Sequence, residues 1–344
     1  MSLNPPARPG VSVFLAVRNE AENLAAAVER IYAQDYGGPF EVVMAVGPSN
    51  DDTQAQAESL AEHYDSLTVV ANPSGGTPQG LNLAWRAAKF DYLVRVDGHS
   101  MLPPGYISQA VALLERTRAA NVGGMMVPEG NSPFQRAVAV AMSSPYGIGS
   151  ESFHTGGEPG PARTVYLGNY RRADLEAVGG FNEEFTRAQD WELNHRLIQA
   201  GKTVWFDPSL SVVYRPRASW RELAAQFYRT GQWRCHVIKR YPRTVSARYL
   251  APPLVTAVIG LGLGLGLAGL VRRSGGLTLA LTFPGLYALG VVGVAASARD
   301  NLDRAAKRLL PLVLATMHLA WGAGFLRALP DGWLKRHQPS DGPI

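Results

Sequence analysis

Two stretches near the end of this 344-residue chain limit its architecture more than any other feature. Ala251 to Val271 and Gly275 to Ala298 contain no Asp, Glu, Lys or Arg, and each has the roughly 20 residues a helix needs to cross a bilayer. Leu309 to Leu326 is a shorter third candidate, able to span or to lie re-entrant. Basic residues before Ala251, and again at Arg299, Arg304, Lys307 and Arg308, put those flanks on the cytoplasmic side, with Arg272 and Arg273 as a small violation. Gly260, Gly262, Gly264 and Gly266 place small residues four apart, which allows close helix–helix approach.

Upstream the pattern changes. From Val11 to about Val213, short β-branched runs alternate with helix-length segments, as in an α/β domain on a mainly parallel sheet. The runs Val11–Val17, Phe40–Val46, Leu67–Ala71, Tyr92–Val96 and Val122–Val127 read as strands. Glu20 to Gln34, with Leu24, Val28 and Ile31 on one face, reads as a helix, as do Asp52 to Tyr64 and Pro104 to Thr117. Gly147 to Gly160, rich in Gly, Ser and Pro, reads as a flexible loop. Ser219 to Arg240 interleaves Trp220, Phe227 and Trp233 with Arg221, Arg229, Arg234 and Lys239, which suits a helix or helix pair in the headgroup layer. An ordinary amphipathic helix packed on the preceding domain is the alternative.

These readings give a flexible start at 1–10, an α/β domain at 11–218, basic-aromatic interfacial helices at 219–249, a membrane region of two or three spans at 250–329 and a tail at 330–344. The net charge of +5 is local, thickening between Arg215 and Arg248, so a membrane surface or a diphosphate is the expected partner and nucleic acid is not. A lone cysteine, Cys235, excludes an internal disulfide framework and a cysteine zinc cluster, which is compatible with a reducing cytosol.

Asp97-Gly98-His99 follows directly on a strand, at the edge where open α/β sheets bind ligands. An Asp and a His there suit a divalent cation, Mn²⁺ or Mg²⁺, that neutralises a departing diphosphate. Gln189-Asp190-Trp191-Glu192 opens a helix, and Asp190 is the candidate general base, able to take the proton of an attacking hydroxyl. Glu192 stands four residues before Arg196, the order of a helical ion pair. The turn from Gly75 and Gly76 through Gln79 into a helix offers backbone N–H groups to a phosphate donor. Gly179-Gly180-Phe181-Asn182 reads as a turn on the acceptor side, with Gln189, Trp191, Gln226 and Trp233 as further acceptor-side candidates.

In this order the pieces resemble family 2 glycosyltransferases of GT-A fold. Arg18-Asn19-Glu20, Ser49-Asn50-Asp51-Asp52-Thr53, the Gly75 turn, Asp97-Gly98-His99, Gly179-Gly180-Phe181 and Gln189-Asp190 carry that resemblance. Within the family the chain is similar to the succinoglycan-biosynthesis ExoA type, through Arg95-Val96-Asp97-Gly98-His99, Ser144-Pro145-Tyr146-Gly147-Ile148-Gly149, Gly168-Asn169-Tyr170-Arg171-Arg172 and His318-Leu319-Ala320-Trp321-Gly322. The resemblance implies an inverting, metal-dependent hexosyl transfer in polysaccharide or cell-envelope assembly. It places Ala16, Arg18, Glu20, Gly75, Gly76, Gln79 and Asp97 around the nucleotide-sugar donor, Asp97 and His99 at the metal, and Asp190 as base. A UDP-sugar is the favoured donor and a GDP-sugar the second. The acceptor is expected to be lipid-linked, and the catalytic domain to face the cytoplasm from a bacterial-type cytoplasmic membrane that the chain crosses more than once. A polyprenyl-phosphate sugar synthase and a non-catalytic sugar-nucleotide-binding scaffold are the alternatives.

The chain departs from the family pattern in three places. Val46 stands where the family usually carries a base-contacting Asp, Tyr214 where many GT-A enzymes carry a late metal-binding His, and Gln226 to Trp233 only loosely follows the Gln-x-x-Arg-Trp signature of processive synthases.

Overall fold

The computed structural model describes residues 8–147, 151–298 and 302–331, in two compact units. The first unit, residues up to 127 together with 151–213, is built on a sheet that has eight strands among the described residues. In chain order the strands are β1 (Val11–Val17), β2 (Phe40–Val46), β3 (Leu67–Ala71), β4 (Tyr92–Arg95), β5 (Asn121–Gly124), β6 (Met126–Pro128), β7 (Gly160–Pro161), β8 (Tyr166–Arg171), β9 (Val204–Phe206) and β10 (Val212–Tyr214). The sheet order is β3-β2-β1-β4-β8-β5-β9-β7, while β6 and β10 form a separate two-stranded ribbon.

The sheet is parallel from β3 to β4, with Val11 opposite Phe40 and Val17 opposite Val46. Strand β8 then runs antiparallel to both β4 and β5, so the sheet is mixed. Both faces are covered, which is why β1 and β2 read as largely apolar runs, broken only by Ser12 and Glu41, which hydrogen-bond to each other at 2.7 Å. Val13, Leu15, Val42 and Met44 pack with the Leu24–Tyr32 and Tyr106–Thr117 helices on one face. Phe14, Val43 and Leu93 pack with the Thr77–Ala87 and Gln189–Gln199 helices on the other.

Local structure departs from the sequence reading in several places. The run Val122–Val127 divides into β5 and β6, because the β5–β8 register shifts between Val122 and Gly124 and the chain leaves the main sheet there. The helix expected over Glu20 to Gln34 starts at Leu24, since Asn19 takes a left-handed φ of 54° and the chain turns before the helix begins. The expected loop Gly147 to Gly160 holds a short helix at Ser152–Thr155, and its residues 148–150 lie outside the described residues. So do residues 1–7, Arg299 and the tail beyond 331.

In the second unit, residues 128–147 and from 214 onward, Trp220–Arg240 is one continuous helix, capped where Ser219 accepts from the Glu222 N–H. Among the described residues, three segments are long and apolar enough to cross a membrane: Ala247–Arg272, Gly275–Ser297 and Arg304–Ala328. The third packs tightly against Trp220–Arg240. A Cβ on Gly231 would run into the Trp321 carbonyl oxygen, and one on Gly324 into that of Tyr228. Lys239 Nζ then donates to the carbonyls of Ala328, Leu329 and Asp331 at 2.6–2.8 Å, satisfying groups the helix end leaves unpaired. In Ala247–Arg272 only half of the glycine stripe makes contact: Gly262 and Gly266 lie against Ala280 and Leu281, whereas Gly260 and Gly264 face open space.

Replacing Gly231 by Leu overpacks a rigid contact, which typically costs about 1–3 kcal/mol. We expect Gly231→Leu to lower the melting temperature of the detergent-purified protein. The matched Gly260→Leu, at a position where an added Cβ meets no protein atom within 4 Å, should leave it unchanged.

Candidate active site

From β1 the chain order runs to β2 on one side and β4 on the other, so the carboxyl ends of β1 and β4 flank the point where strand order reverses. Open α/β sheets bind their ligands in that crevice. Arg18-Asn19-Glu20 leaves β1 there and Asp97-Gly98-His99 leaves β4. The two loops are joined by Glu20 Oε1 and His99 Nδ1 at 2.9 Å. Glu20 is itself fixed, its N–H donating to Thr53 Oγ1 at 2.8 Å.

Beneath these loops lies Arg95, whose side chain is only 5% exposed. Its guanidinium donates from Nη2 to Asp97 Oδ1 at 2.8 Å and from Nη1 to Asp190 Oδ1. One buried cation therefore holds together the end of β4 and the first turn of the Gln189–Gln199 helix, 95 residues apart in the chain. Burial pushes the Arg95 pKa down, but Asp190 and Asp97 more than reverse this and keep it charged. Asp190 shows the converse. Burial pushes its carboxyl above the usual range, Arg95 opposes that, and Asp97 adds to it, with a net upward shift. Its side chain keeps 34% of its surface exposed, which limits the effect of burial and leaves the carboxylate open to a partner. Tyr170, fully buried close by, is held protonated by that burial.

The expected ion pair from Glu192 to Arg196 is present and has a structural task. Glu192 is fully buried, and Arg196 Nη2 donates to it at 2.7 Å and to the Gly180 carbonyl at 2.7 Å. Nη1 of the same arginine reaches the Val178 carbonyl, so the helix carrying Asp190 is tied to the Gly179-Gly180 turn. Gly180 has a φ of 76°, and a Cβ there would sit 2.6 Å from Asn82 Oδ1. Asn82 in turn receives the Phe181 N–H at 2.9 Å and donates to Glu183 Oε1 at 2.9 Å. Gln189 and Trp191 flank Asp190, and Trp191 stacks on His195 at 5.2 Å.

On the other side of the crevice, Arg18 Nε donates to the Pro48 carbonyl at 3.0 Å. Gly75 takes a φ of 65°, and a Cβ on it would sit 3.3 Å from Pro48 and 3.6 Å from Arg18. Gly76 caps the Thr77–Ala87 helix, and Gln79 Nε2 crosses to the Glu183 carbonyl at 3.1 Å. Ala16 is half-buried in β1 beneath Gly80. A cavity of about 370 Å³ opens beside these loops, lined by Val46, Gly47, Pro48, Ser49, Ala71 and Asn72 among others.

The structure thus gathers Ala16, Arg18, Glu20, Gly75, Gly76, Gln79, Asp97, His99, Gly180, Gln189, Asp190 and Trp191 in the first unit. Gln226 and Trp233 belong to the Trp220–Arg240 helix of the second, where Gln226 Nε2 donates to Tyr214 Oη at 3.2 Å and Trp233 meets His236 edge-on. The sequence reading gave Arg95 no role in the site. Its signal was the two-residue period of a strand, which puts Arg95 and Asp97 on one side.

Among the described residues no cluster of three or more His, Cys, Asp or Glu side chains surrounds a metal-sized space. Asp97 and His99 nonetheless fit a cation completed by phosphate oxygens and water, as a hard divalent ion prefers. Asp97 commits Oδ1 to Arg95. The Glu20 carboxylate fixes the proton on His99 Nδ1, which makes Nε2 the basic nitrogen.

The Glycosyl transferase family 2 profile matches residues 12–179. The succinoglycan biosynthesis protein ExoA of Rhizobium meliloti (strain 1021) is 30% identical over 321 residues, 93% of this chain and 94% of that protein. The putative glycosyltransferase EpsE of Bacillus subtilis (strain 168) is 31% identical over 118 residues, 34% of this chain and 42% of EpsE. Among solved structures, the mannosyltransferase PcManGT from Pyrobaculum calidifontis, in complex with GDP-Man and Mn²⁺, is similar in fold. Its TM-score is 0.59 at 21% identity, covering 95% of this chain and 89% of that one.

Breaking a buried ion pair from one side typically costs about 3–5 kcal/mol, because the remaining charge is stranded. Arg196 is a quarter exposed, so we expect Arg196→Ala to lie at the low end, near about 3 kcal/mol by denaturant titration of the folded protein. Trp191→Ala, on the same helix but only half-buried, should cost less than half as much.

Proposed function

Because the chain belongs to glycosyl transferase family 2 and is a glycosyltransferase related to a succinoglycan biosynthesis protein, we propose that it transfers one hexosyl unit, with inversion, from a nucleotide-sugar to a lipid-linked glycan at the cytoplasmic face of the membrane. The observation that carries this reading is the buried Arg95, which holds Asp97 and Asp190 on one guanidinium at the strand-order reversal. Two carboxylates fixed in that crevice, one beside a histidine and one on a helix opening, divide into donor-side and acceptor-side roles.

Asp190 is the base in this scheme. It accepts the proton of the acceptor hydroxyl as that oxygen attacks the anomeric carbon from the face opposite the diphosphate. A single base suffices for an inverting transfer, unlike the paired carboxylates of glycoside hydrolysis. Asp97 and His99 would hold the divalent cation, Mn²⁺ or Mg²⁺, which when bound neutralises charge on the departing nucleoside diphosphate. Arg95 orients both carboxylates, and Glu20 orients His99. The N-terminus of the Thr77–Ala87 helix presents backbone N–H groups toward the phosphates. The cavity between β2 and β3 takes the nucleobase. Val46 gives that cavity no carboxylate to read a uracil N3–H, so the donor screen includes GDP- as well as UDP-sugars; the PcManGT complex with GDP-Man and Mn²⁺ supports including both that nucleotide and that metal. The three apolar helices support a multi-pass anchor, with the basic residues between Arg215 and Arg248 at the cytoplasmic surface.

Nucleoside-diphosphate release by the detergent-purified full chain, with Mn²⁺ or Mg²⁺ and a lipid-acceptor extract, tests the scheme. Metal-dependent release from one donor should fall by at least about 100-fold in Asp190→Asn, the usual lower range for a general base, and comparably in Asp97→Ala. Full retention in Asp190→Asn would instead favour a lipid phosphate as the acceptor, since that nucleophile needs no base. Because the base must be ionised and its pKa is raised, the acid limb of kcat/KM should fall off above the range of an ordinary aspartate. An acid limb at the ordinary aspartate range would remove Asp190 from that role.

A further inference from the structure

The second unit has a partly open cavity of about 290 Å³, close to the lower end of the about 300–1,000 Å³ that ligand pockets take. The Ala247–Arg272 and Arg304–Ala328 helices form most of its wall, completed by Tyr287 and the turn at Tyr146. A second cavity of about 240 Å³ shares Tyr146, Tyr287 and His318 with the first and continues onto Val291, Val294 and Leu314. All of these residues belong to the one unit.

The polar groups of this lining are distributed unevenly. His318 Nε2 donates to the Tyr146 carbonyl at 2.6 Å, so its Nδ1 accepts from the Tyr287 hydroxyl at 3.1 Å. Both ring nitrogens and the phenol are thereby satisfied within the protein, and the wall they form presents mainly carbon. Among the described residues lining the two cavities, Arg248 alone carries a charge, and no carboxylate is present. Arg248 sits in the first turn of its helix, shortly after the exposed Arg240 and Arg243. Its guanidinium donates to the Tyr249 hydroxyl at 2.8 Å and lies 4.7 Å over that ring, with Arg234 also over the ring at 4.0 Å. One end of the cavity is thus positive and rigidly held, and the remainder is apolar and lies between helices of bilayer length.

A soluble anion would find no use for the apolar walls, and a neutral hydrocarbon none for Arg248. The fitting ligand carries a phosphate at one end and a hydrocarbon chain behind it. A diacyl phospholipid brings two chains, whereas adjoining cavities of about 290 and 240 Å³ leave room for one. We propose that this cavity seats the isoprenoid stem of the lipid-linked acceptor, with its phosphate against Arg248. The inference rests on the reading that the acceptor is lipid-carried, and it names where that lipid binds.

Photolabelling tests it, using the full chain in phosphatidylcholine nanodiscs and a diazirine-bearing polyprenyl phosphate. Label is expected on the segments around Val291 and His318. Val255→Trp and Val291→Trp, which fill the two cavities, should reduce labelling at least about tenfold, a difference of 1.4 kcal/mol, while binding of the nucleotide-sugar is retained. Arg248→Gln should weaken labelling by the phosphate but not by the uncharged polyprenol, which keeps the test sound if the Trp variants fold poorly. Undiminished labelling in the filled variants, label mapping elsewhere, or equal competition by phosphatidylglycerol would overturn the site while leaving the lipid-carried acceptor standing. A wild-type chain that takes no label yet glycosylates a water-soluble saccharide would overturn both.

Discussion

The Arg95 guanidinium, shared between Asp97 and Asp190, is the interaction on which the candidate site depends. A cation this deeply buried is tenable only with counter-charges in contact. Two carboxylates crowded into one crevice would likewise drive each other toward protonation without it. The three charges therefore stand or fall together, and they fix the end of β4 against the first turn of the Gln189–Gln199 helix. Supporting contacts repeat the same logic at longer range. Arg196 ties that helix to the Gly179-Gly180 turn, and Asn82 ties the turn to the helix that follows Gly75. The proposed donor-side and acceptor-side residues of the first unit are thus held in one hydrogen-bonded frame.

How much of this was legible in the sequence follows from burial. Strands β1 and β2 were bounded correctly because two covered faces demand largely apolar runs with sharp ends, broken only by the hydrogen-bonded pair Ser12 and Glu41; β3 matched as well, although it is an edge strand with Thr68 and Ala71 exposed. Strand β8 carried no such run: Gly168 and Asn169 interrupt it, and Asn169 is buried only because its amide donates to the Val122 and Leu167 carbonyls. Strands β7 and β9, at two and three residues, are too short for any periodicity to show. The two candidate carboxylates, Asp97 and Asp190, could be singled out because one follows a strand and the other opens a helix, places where a charge needs a reason. Arg95 was missed because its partner Asp190 lies 95 residues away, and only the sheet order brings them together. The same holds for Glu20 and His99, joined across the reversal of strand order.

The apolar C-terminal helices show a different limit. Spacing of four residues was present twice in Ala247–Arg272, in the pair Gly260 and Gly264 and in the pair Gly262 and Gly266. These pairs point to opposite sides of a helix turning 100° per residue, so spacing alone could not say which one packs. The contacts with Ala280 and Leu281 select the second pair.

Burial also separates the third apolar helix from the first two. Leu254, Leu261, Val271, Leu279, Leu286 and Leu289 all stand exposed on Ala247–Arg272 and Gly275–Ser297, an apolar surface too extensive to face water. On Arg304–Ala328, Leu310, Val313, Leu314, Met317 and Phe325 are buried within the protein. This helix is covered in large part by Trp220–Arg240, itself rich in arginine, and its last carbonyls are taken by Lys239. Where Trp220–Arg240 covers this helix, arginine heads can reach water while their stems cover carbon. In the proposed multi-pass anchor the first two helices offer the larger apolar surface to hydrocarbon, and the third joins them to the basic helix.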